Sequence, residues 1–342
     1  MAGRQLRLET ADGTLIGTRL ERGDRVPGTS RNATGRRILL LGKNGQVGWE
    51  LERTLAPLGA VMAVDFPEVD LADTEGVRRL VREARPEIIV NAAAYTAVDR
   101  AESEPERAMA VNGIAPGVLA EEAKALGACL VHYSTDYVFD GEKRESYVET
   151  DPPNPLNVYG KTKLAGEEAI RAVGGAYLIL RTSWVYGGRG RNFLLTIRHL
   201  ARERQVLRVV DDQVGSPTWC RFLATATTRI ISLLAASGSS GIVPGMSARR
   251  GVYNLSAEGQ TSWCGFARAI LESDPAREEV LAREVVPISS EEHPTLATRP
   301  RNSVLSKQKV RNAFGVEIPS WEEQLAGCWE ALMMEGATPG SN

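Results

Sequence analysis

A tyrosine and a lysine stand four residues apart in the stretch NVYGKTKLAGEE, residues 157–168. On a helix, Tyr159 and Lys163 lie on the same face, one turn apart. An ammonium group beside a phenol lowers the phenol's pKa from its usual value of about 10, so Tyr159 could exchange a proton near neutral pH. The spacing predicts acid–base chemistry on a substrate oxygen, and the alternative is a partly exposed pair on a helix surface.

A polar cluster, STDYVFDG at residues 134–141, follows an apolar run earlier in the chain. Its Thr135, 24 residues before Tyr159, could orient a substrate oxygen with its hydroxyl. Lys163 could also hold the ribose of a nicotinamide. These three residues predict hydride transfer to or from a carbonyl group, for which a cofactor carries the hydride and the protein supplies the proton and the geometry.

A glycine-rich turn, GKNGQVG, lies between a predicted strand and a predicted helix and contains Gly42, Gly45 and Gly48. Glycines there allow a tight turn and a close approach of the backbone to a pyrophosphate, while the helix N-terminus offers free N–H groups to the phosphates. A glycine triplet alone is equally compatible with a plain strand–helix turn. The flanking elements favour a dinucleotide site.

A carboxylate, Asp65, ends the second predicted strand, 20 residues after Gly45. A carboxylate at this place binds the ribose hydroxyls of an adenosine. It disfavours the 2′-phosphate of NADP, although Lys43 in the glycine turn could offset that repulsion. The pattern favours NADH and leaves NADPH open.

Two further groups of residues fit the same cofactor. Asp70 and Leu71 follow the second strand and could flank the adenine ring. Ala92, Ala93 and Ala94 end another predicted strand, where small side chains let a cofactor lie against the backbone. Simple close packing is the alternative for the alanines.

The elements that must position these residues alternate between strands and helices. Strands are predicted at residues 36–42, 60–65, 87–96, 129–139 and 176–186, and helices at 46–59, after an Asp73 N-cap, at about 104–126 and near 221–236. This alternation predicts an α/β fold, a Rossmann-type doubly wound parallel sheet that binds ligands at the carboxyl ends of its strands.

The chain divides into three predicted regions. Residues 1–35 form an N-terminal extension, with a short hairpin and a linker, to which no role is assigned. Residues 36–187 form the NAD(P)-binding domain. Residues 188–342 form mainly a smaller, substrate-binding lobe, although a segment near 252–256 is expected to return to the edge of the sheet.

Composition excludes several classes of function. The formal net charge of −2 lacks the basic excess of a nucleic-acid-binding protein, and no apolar run approaches the length of a membrane span. The N-terminus lacks the apolar core of a secretory signal, so a cytoplasmic location is expected. The four cysteines and three histidines are scattered without zinc-site spacing, so no metal site is predicted.

The order of GxxGxxG, NAAA, STD and YxxxK resembles the extended short-chain dehydrogenase/reductase superfamily. GKNGQVGWEL, VNAAAYTAVDRAESEP, HYSTDYVFDG, PLNVYGKTKLAGE, LRTSWVYG and DDQVGSPT more closely resemble the dTDP-4-dehydrorhamnose reductase family, across about residues 36–335. This resemblance implies NADH- or NADPH-dependent reduction of the C4 keto group of dTDP-4-dehydro-L-rhamnose to dTDP-L-rhamnose. That reaction is the last step of dTDP-rhamnose biosynthesis for envelope polysaccharides.

The resemblance also implies roles for individual residues. Tyr159 matches the proton donor, with Lys163 and Thr135 as its partners. The cofactor loop is matched by Gly45, Gln46 and Val47, and contacts to the sugar nucleotide by Thr135, Asp136 and Trp184. Asn192, Phe193 and Arg299 could meet the diphosphate and base, or could be ordinary loop residues.

Two properties of the family stay open for this chain. Some relatives bind magnesium through C-terminal glutamates at a dimer contact, and Glu322 and Glu323 lie in that region without matching the ligand pattern. The sequence therefore does not support a metal, and a homodimer is an open option.

Two rival functions remain at this point. One is another nucleotide-sugar epimerase or dehydratase of the same superfamily, but Asp136 is followed by Tyr137 and not by the glutamate expected of a dehydratase. The other is a non-catalytic regulatory subunit, such as the beta subunit of methionine adenosyltransferase, which has this fold. The intact Thr135, Tyr159 and Lys163 favour the reductase.

Overall fold

The computed structural model describes residues 35–236 and 242–336. The hairpin and linker expected before residue 35 lie outside the described residues. The strands are β1 (Arg36–Leu41), β2 (Gly59–Val64), β3 (Ile88–Asn91), β4 (Cys129–Thr135), β5 (Ala176–Thr182), β6 (Val185–Tyr186), β7 (Val206–Val210), β8 (Val214–Gly215), β9 (Thr218–Trp219), β10 (Gly251–Asn254), β11 (Thr261–Ser262) and β12 (Glu284–Ile288).

Helices connect and cover these strands. They are α1 (Gln46–Leu55), α2 (Thr74–Ala84), α3 (Val98–Ala101), α4 (Pro105–Met109), α5 (Ala115–Leu126), α6 (Val158–Val173), α7 (Phe193–Glu203), α8 (Cys220–Ala236), α9 (Ile242–Ala248), α10 (Trp263–Ser273), α11 (Gln308–Phe314) and α12 (Trp321–Gly336). Asp73 caps α2 as predicted, since its side chain accepts a hydrogen bond from the Gly76 N–H.

Six strands form one parallel sheet in the order β2-β1-β3-β4-β5-β10. Successive side chains of a strand point to opposite faces. In β1, Ile38 and Leu40 therefore join a core with α1 and α8, whereas Leu39 and Leu41 join a second core with α2 and α5. Because both faces are covered by helices, the sheet is doubly wound, and the predicted Rossmann-type α/β fold is confirmed.

A smaller lobe follows the sheet. The parallel pair β7 and β12 packs with α7, α10 and α12 around a third core that contains Tyr186, Phe266 and Trp329. The segment Gly251–Asn254 leaves this region and pairs with β5, so that β10 is an edge strand of the main sheet.

Several predicted elements end earlier than expected. The strand predicted at 87–96 stops at Asn91, the one predicted at 129–139 stops at Thr135, and the one at 176–186 is broken between Thr182 and Val185. Polar side chains in these segments turn away from the ladder to bond one another and the backbone. The helix expected from about 104 to 126 is continuous but contains a π-helical turn at Ala110–Ile114.

Candidate active site

A cleft of about 730 Å³ lies at the carboxyl ends of the central strands. A volume of this size is within the range of small-molecule and cofactor sites. Twelve of the residues predicted from the sequence line it: Gly42, Gly45, Gln46, Val47, Asp65, Asp70, Leu71, Ala92, Ala93, Ala94, Tyr159 and Lys163. The cleft therefore joins the glycine turn at one end to the tyrosine–lysine pair at the other.

The glycine turn brings β1, α1 and the alanine segment into close contact. Gly42 has φ of 91°, and a Cβ there would lie 2.6 Å from the backbone nitrogen of Ala93. A Cβ on Gly48 would lie 1.9 Å from the carbonyl oxygen of Gly42. Gly48 does not line the cleft, so its glycine is needed for packing of the helix against the turn.

Two acidic residues mark the far end of the cleft. The carboxylate of Asp65 accepts hydrogen bonds from the backbone N–H groups of Asn44, at 2.9 Å, and Phe66, at 2.8 Å. These bonds hold Asp65 beside the glycine turn. The carboxylate of Asp70 is instead paired with Arg107 at 3.0 Å.

Helix α6 positions Tyr159 and Lys163. Asn157 caps the helix by accepting a hydrogen bond from the Gly160 N–H at 2.8 Å. A Cβ on Gly160 would lie 2.2 Å from the carbonyl oxygen of Tyr137, so this glycine lets the helix approach the end of β4. Tyr159 is thereby held next to Thr135, whose hydroxyl is close enough to affect the pKa of the phenol.

The pKa of Tyr159 moves in the direction opposite to the sequence-based expectation. Burial raises this pKa to about 12, against a lowering contribution from the hydrogen bond to Thr135. Asp136 adds to the upward shift by charge repulsion of the phenolate. The expected lowering by Lys163 is wrong for this structure, and the phenol is fully protonated at neutral pH.

Lys163 is buried and directed at the end of β4. Its ammonium donates a hydrogen bond to the Tyr133 carbonyl at 2.6 Å, and its Nζ lies 3.3 Å from Nε2 of His132. Burial lowers the pKa of Lys163 to about 8. The lysine is therefore the cation near this end of the cleft whose charge is most easily lost.

His132 is a buried polar residue beside Lys163 that the sequence-based reasoning missed. Its Nδ1 lies 3.1 Å from the amide nitrogen of Asn91, whose oxygen accepts a hydrogen bond from the Ala93 N–H, and its Nε2 faces Lys163. Burial and the charge of Lys163 keep the pKa of His132 well below its usual value, so the ring is neutral. Two adjacent polar residues in the apolar strands β3 and β4 were the available signal.

Thr135 and Asp136 are both buried, and neither lines the cleft. Its carboxylate accepts hydrogen bonds from the hydroxyls of Thr135 and Ser183, each at 2.9 Å. Burial raises the pKa of Asp136 to about 6, although hydrogen bonds from Ser303, Ser183 and Thr135 act in the opposite direction. In this position Asp136 fixes the direction of the Thr135 O–H, because that proton is directed at the carboxylate.

Trp184 lies at the break between β5 and β6 and has φ of 47°, an uncommon conformation for a residue with a side chain. Its indole stacks on that of Trp263, with ring centroids 3.5 Å apart and planes 3° apart. One face of the ring is thus covered by the smaller lobe. The contact between Trp184 and a sugar, expected from the sequence, stays a prediction and concerns the part of the indole that Trp263 does not cover.

The residues left open by the sequence have partners elsewhere. Asn192 caps α7 and donates from its amide to the Gln46 side chain at 2.8 Å. Phe193 packs on Trp263. Arg299 binds Asp99 through two hydrogen bonds, at 2.6 and 3.0 Å.

Neither a metal site nor a membrane span is found in residues 35–236 and 242–336. In these ranges, no group of three or more histidine, cysteine, aspartate or glutamate side chains could hold a metal, and no helix is long and apolar enough to cross a membrane. Glu323, in the first turn of α12, accepts a hydrogen bond from the Ser320 N–H at 2.7 Å.

The parallel sheet, the glycine turn and the tyrosine–lysine pair together define a nicotinamide-dependent oxidoreductase of the Rossmann type. Residues 36–334 match the family model described as the RmlD substrate binding domain. The chain belongs to this family, and the resemblance inferred from its motifs is confirmed.

Similar proteins support the same conclusion. A dTDP-4-dehydrorhamnose reductase of Burkholderia thailandensis is 45% identical over 302 residues, which are 87% of this chain and 100% of the relative. The enzyme of the same name from Escherichia coli K12 is 44% identical over 83% of this chain and 94% of its own. The crystal structure of a dTDP-4-dehydrorhamnose reductase from Bacillus anthracis in complex with NADP has a TM-score of 0.77 and 34% identity, and the match covers 88% of this chain and 100% of that one.

Proposed function

We propose that this protein uses NADH or NADPH to reduce the C4 keto group of dTDP-4-dehydro-L-rhamnose to dTDP-L-rhamnose. The observation that carries the proposal is one continuous cleft, lined by the glycine turn and Asp65 at one end and by Tyr159 and Lys163 at the other. The relatives are named dTDP-4-dehydrorhamnose reductases. A reductase of this kind needs a cofactor site and a proton donor, which the two ends of the cleft would supply.

The described residues fit a dinucleotide. The N-terminus of α1, with Gly45, Gln46 and Val47, would hold the pyrophosphate, because these residues line the cleft and the first N–H groups of a helix have no partner within it. Asp65 would hold the adenosine ribose, with Asp70 and Leu71 near the adenine. The small side chains of Ala92, Ala93 and Ala94 would let the dinucleotide lie against the backbone that follows β3.

The chemical step uses the opposite end of the cleft. A bound nicotinamide supplies the hydride. Tyr159 gives its phenolic proton to the C4 oxygen as negative charge develops there, and its raised pKa keeps that proton in place until then. Thr135 would orient the substrate oxygen by donating its hydroxyl proton to it, for which the O–H must turn from Asp136, to which it donates in this structure. Lys163 holds the nicotinamide ribose.

The sugar nucleotide would lie between the sheet and the smaller lobe. We assign residues 188–342 mainly to substrate binding. Trp184, Thr135 and Asp136 are assigned to contact with the deoxysugar. The apolar face of a deoxysugar suits an indole ring. The segment Gly251–Asn254 belongs to the main sheet and so to the other region.

The test is an assay of the purified full-length chain with dTDP-4-dehydro-L-rhamnose and either NADH or NADPH. We expect oxidation of the cofactor in equal amount to the dTDP-L-rhamnose formed, with product identity checked by mass spectrometry and NMR. If the sugar nucleotide is reduced with neither NADH nor NADPH, the reductase function is refuted. Isomerisation of a sugar nucleotide without net oxidation of the cofactor would support the epimerase, and cofactor binding without turnover would support a regulatory subunit.

Three finer properties belong to the same proposal. A homodimer is tested by sedimentation equilibrium, and a cytoplasmic location by cell fractionation. A magnesium requirement is tested by assay with and without EDTA. Loss of activity in EDTA that magnesium restores would establish the requirement, and unchanged activity would exclude it.

A further inference from the structure

An ion pair between the glycine turn and the loop after β2 lies beside the corner of the cleft that would receive the adenosine ribose, next to the lining residues Asn44 and Asp65 but not among them. The ammonium of Lys43 binds the Glu68 carboxylate at 2.7 Å. The second oxygen of that carboxylate accepts a hydrogen bond from the Asp65 backbone N–H at 3.1 Å. Glu68 therefore ties the lysine to the residue that ends β2.

Lys43 is the cation best placed to meet a 2′-phosphate. Its backbone nitrogen lies 3.4 Å from the carbonyl oxygen of Val64, the last residue of β2, so it stands directly beside Asp65. Phe66, which follows Asp65 and lines the cleft, carries no charge. A phosphate on the 2′-hydroxyl that Asp65 holds would need a cation at this corner to offset the repulsion by the carboxylate.

Two arginines that line the cleft near Asp70 are also paired with carboxylates. Arg107 binds Asp70 at 3.0 Å, and Arg100 binds Glu104 at 2.6 Å. With Asp65 and the Lys43–Glu68 pair, these residues bring four carboxylates and three cations together, so this group is net negative. Such a field repels the added charge of a 2′-phosphate and accepts a ribose hydroxyl.

We propose that Glu68 is a specificity residue for the cofactor: it holds Lys43 away from the 2′-position and so makes the chain select NADH over NADPH. The inference rests on the proposed cofactor site. The Lys43–Glu68 pair is partly exposed, with 27% and 52% of the two side chains accessible, so a stronger ligand or a single substitution can release the lysine. The hydrogen bond from Lys43 also lowers the pKa of Glu68, so the carboxylate stays charged at neutral pH.

The test measures binding without turnover. Calorimetry with ADP-ribose and with ADP-ribose 2′-phosphate compares the two ligand types on the full chain and on three variants: Glu68→Gln, Lys43→Gln and the double variant. Glu52→Gln, which removes one negative charge from the neighbouring helix α1, is the matched control. Titration with NADH and NADPH repeats the comparison with the complete cofactors.

We expect the wild-type chain to bind ADP-ribose more tightly than its 2′-phosphate. Glu68→Gln should raise the relative affinity for the 2′-phosphate about fivefold, since an exposed pair restrains its lysine by up to about this factor. Lys43→Gln should change the wild-type preference less than twofold and should remove the gain in the double variant. Glu52→Gln should leave the preference within twofold of wild type.

Three results would overturn the inference. One is an unchanged preference in Glu68→Gln. Another is that Lys43→Gln changes the preference between the two ligands equally in the wild-type chain and in the Glu68→Gln chain. This result would show that Lys43 already reaches the phosphate when Glu68 is present. The third is a wild-type preference for the 2′-phosphate. If wild type bound neither ligand, the proposed cofactor site would be refuted together with the inference. If wild type bound both ligands equally, only the inference would be refuted.

Discussion

The residues nearest the proposed chemistry are controlled by neighbours that never enter the cleft. Asn91 and Lys163 contact the two ring nitrogens of the buried His132. Asp136 takes the proton of Thr135, and the threonine oxygen accepts a hydrogen bond from the Tyr137 N–H. At this scale the site consists of two short hydrogen-bonded chains, one behind the lysine and one behind the tyrosine.

Tyr159→Phe tests the proton donor directly. Removal of the hydroxyl should lower kcat by about 10²- to 10⁴-fold, which is the usual contribution of a positioned acid. Binding of NADH, measured by calorimetry, should stay within a few-fold of wild type because Asp65 and the glycine turn are intact. Full turnover by the variant would refute the assigned role of the tyrosine.

The buried carboxyl of Asp136 should make stability depend on pH. Burial raises the pKa of Asp136 from 3.8 to about 6 in the folded chain, so the folded state holds this proton more tightly than the unfolded state across that interval. Stability therefore falls as pH rises through this window. Relative to Asp136→Asn, the wild type should lose about 2 kcal/mol between pH 4.5 and pH 7.5.

Urea denaturation of both proteins at the two pH values measures this difference. The variant serves as the control for all other titrating groups, because they are common to both chains. A constant difference in the free energy of unfolding would show that Asp136 has an ordinary pKa.

At the scale of elements, glycines decide how closely helices approach the sheet. Gly48 lets α1 rest on the glycine turn, and Gly160 lets α6 rest on the end of β4. In each case the nearest atom to an added Cβ is a backbone carbonyl oxygen, which cannot move without its element. The tight contacts set the distance between the two ends of the cleft.

Gly48→Ala and Gly45→Ala separate packing from cofactor binding. A Cβ on Gly48 would lie 1.9 Å from the Gly42 oxygen, whereas one on Gly45 would lie 3.3 Å from it. Gly45 also has φ of −72°, which alanine adopts freely. Gly48→Ala should therefore destabilise the fold by about 2–4 kcal/mol.

Gly45→Ala should leave thermal stability nearly unchanged but weaken NADH binding about tenfold or more, because a methyl group would stand where the pyrophosphate approaches. Thermal unfolding and calorimetry on the two variants give both quantities. Equal loss of stability in the two would show that the turn does not discriminate between these positions.

At the scale of the whole molecule, residues 297–302 tie the C-terminal part of the chain to the sheet domain. Arg299 and the Ala297 N–H bind Asp99, and Asn302 donates to the Lys143 carbonyl. Asn157 joins this segment to the catalytic helix, because its amide donates to the Thr298 carbonyl at 2.7 Å while its oxygen caps α6. Asn157 therefore connects this segment to the helix that carries Tyr159.

Asn157→Ser and Asn157→Ala separate these two roles. A serine can still cap α6 but cannot reach Thr298, whereas an alanine does neither. Asn157→Ala should be about 1 kcal/mol less stable than Asn157→Ser, which is the usual contribution of an N-cap. Both variants should raise KM for the sugar nucleotide, because both release the 297–302 segment.

Chemical denaturation and steady-state kinetics with the sugar nucleotide test the pair. An unchanged KM in both variants would show that the tie to Thr298 does not affect the substrate side. Equal stability would show that the cap contributes nothing.

Local patterns in the sequence determined the fold class, the glycine turn, the carboxylate after β2 and the helix that carries Tyr159 and Lys163. These features depend on periodicity, caps and turn residues that act over a few positions. Strand ends were less predictable, because the backbone beyond them leaves the ladder and bonds to side chains: the Tyr95 N–H to Asn112 and the Tyr137 N–H to the Thr135 hydroxyl.

The tertiary structure alone decided the environment of each group. It raised the pKa of Tyr159, placed Asp136 behind Thr135, covered one face of Trp184 and joined Lys43 to Glu68. Burial and pairing depend on residues far apart in the chain that the fold brings together. The tyrosine and lysine could thus be recognised from their spacing, whereas their protonation and their partners could be known only from the folded chain.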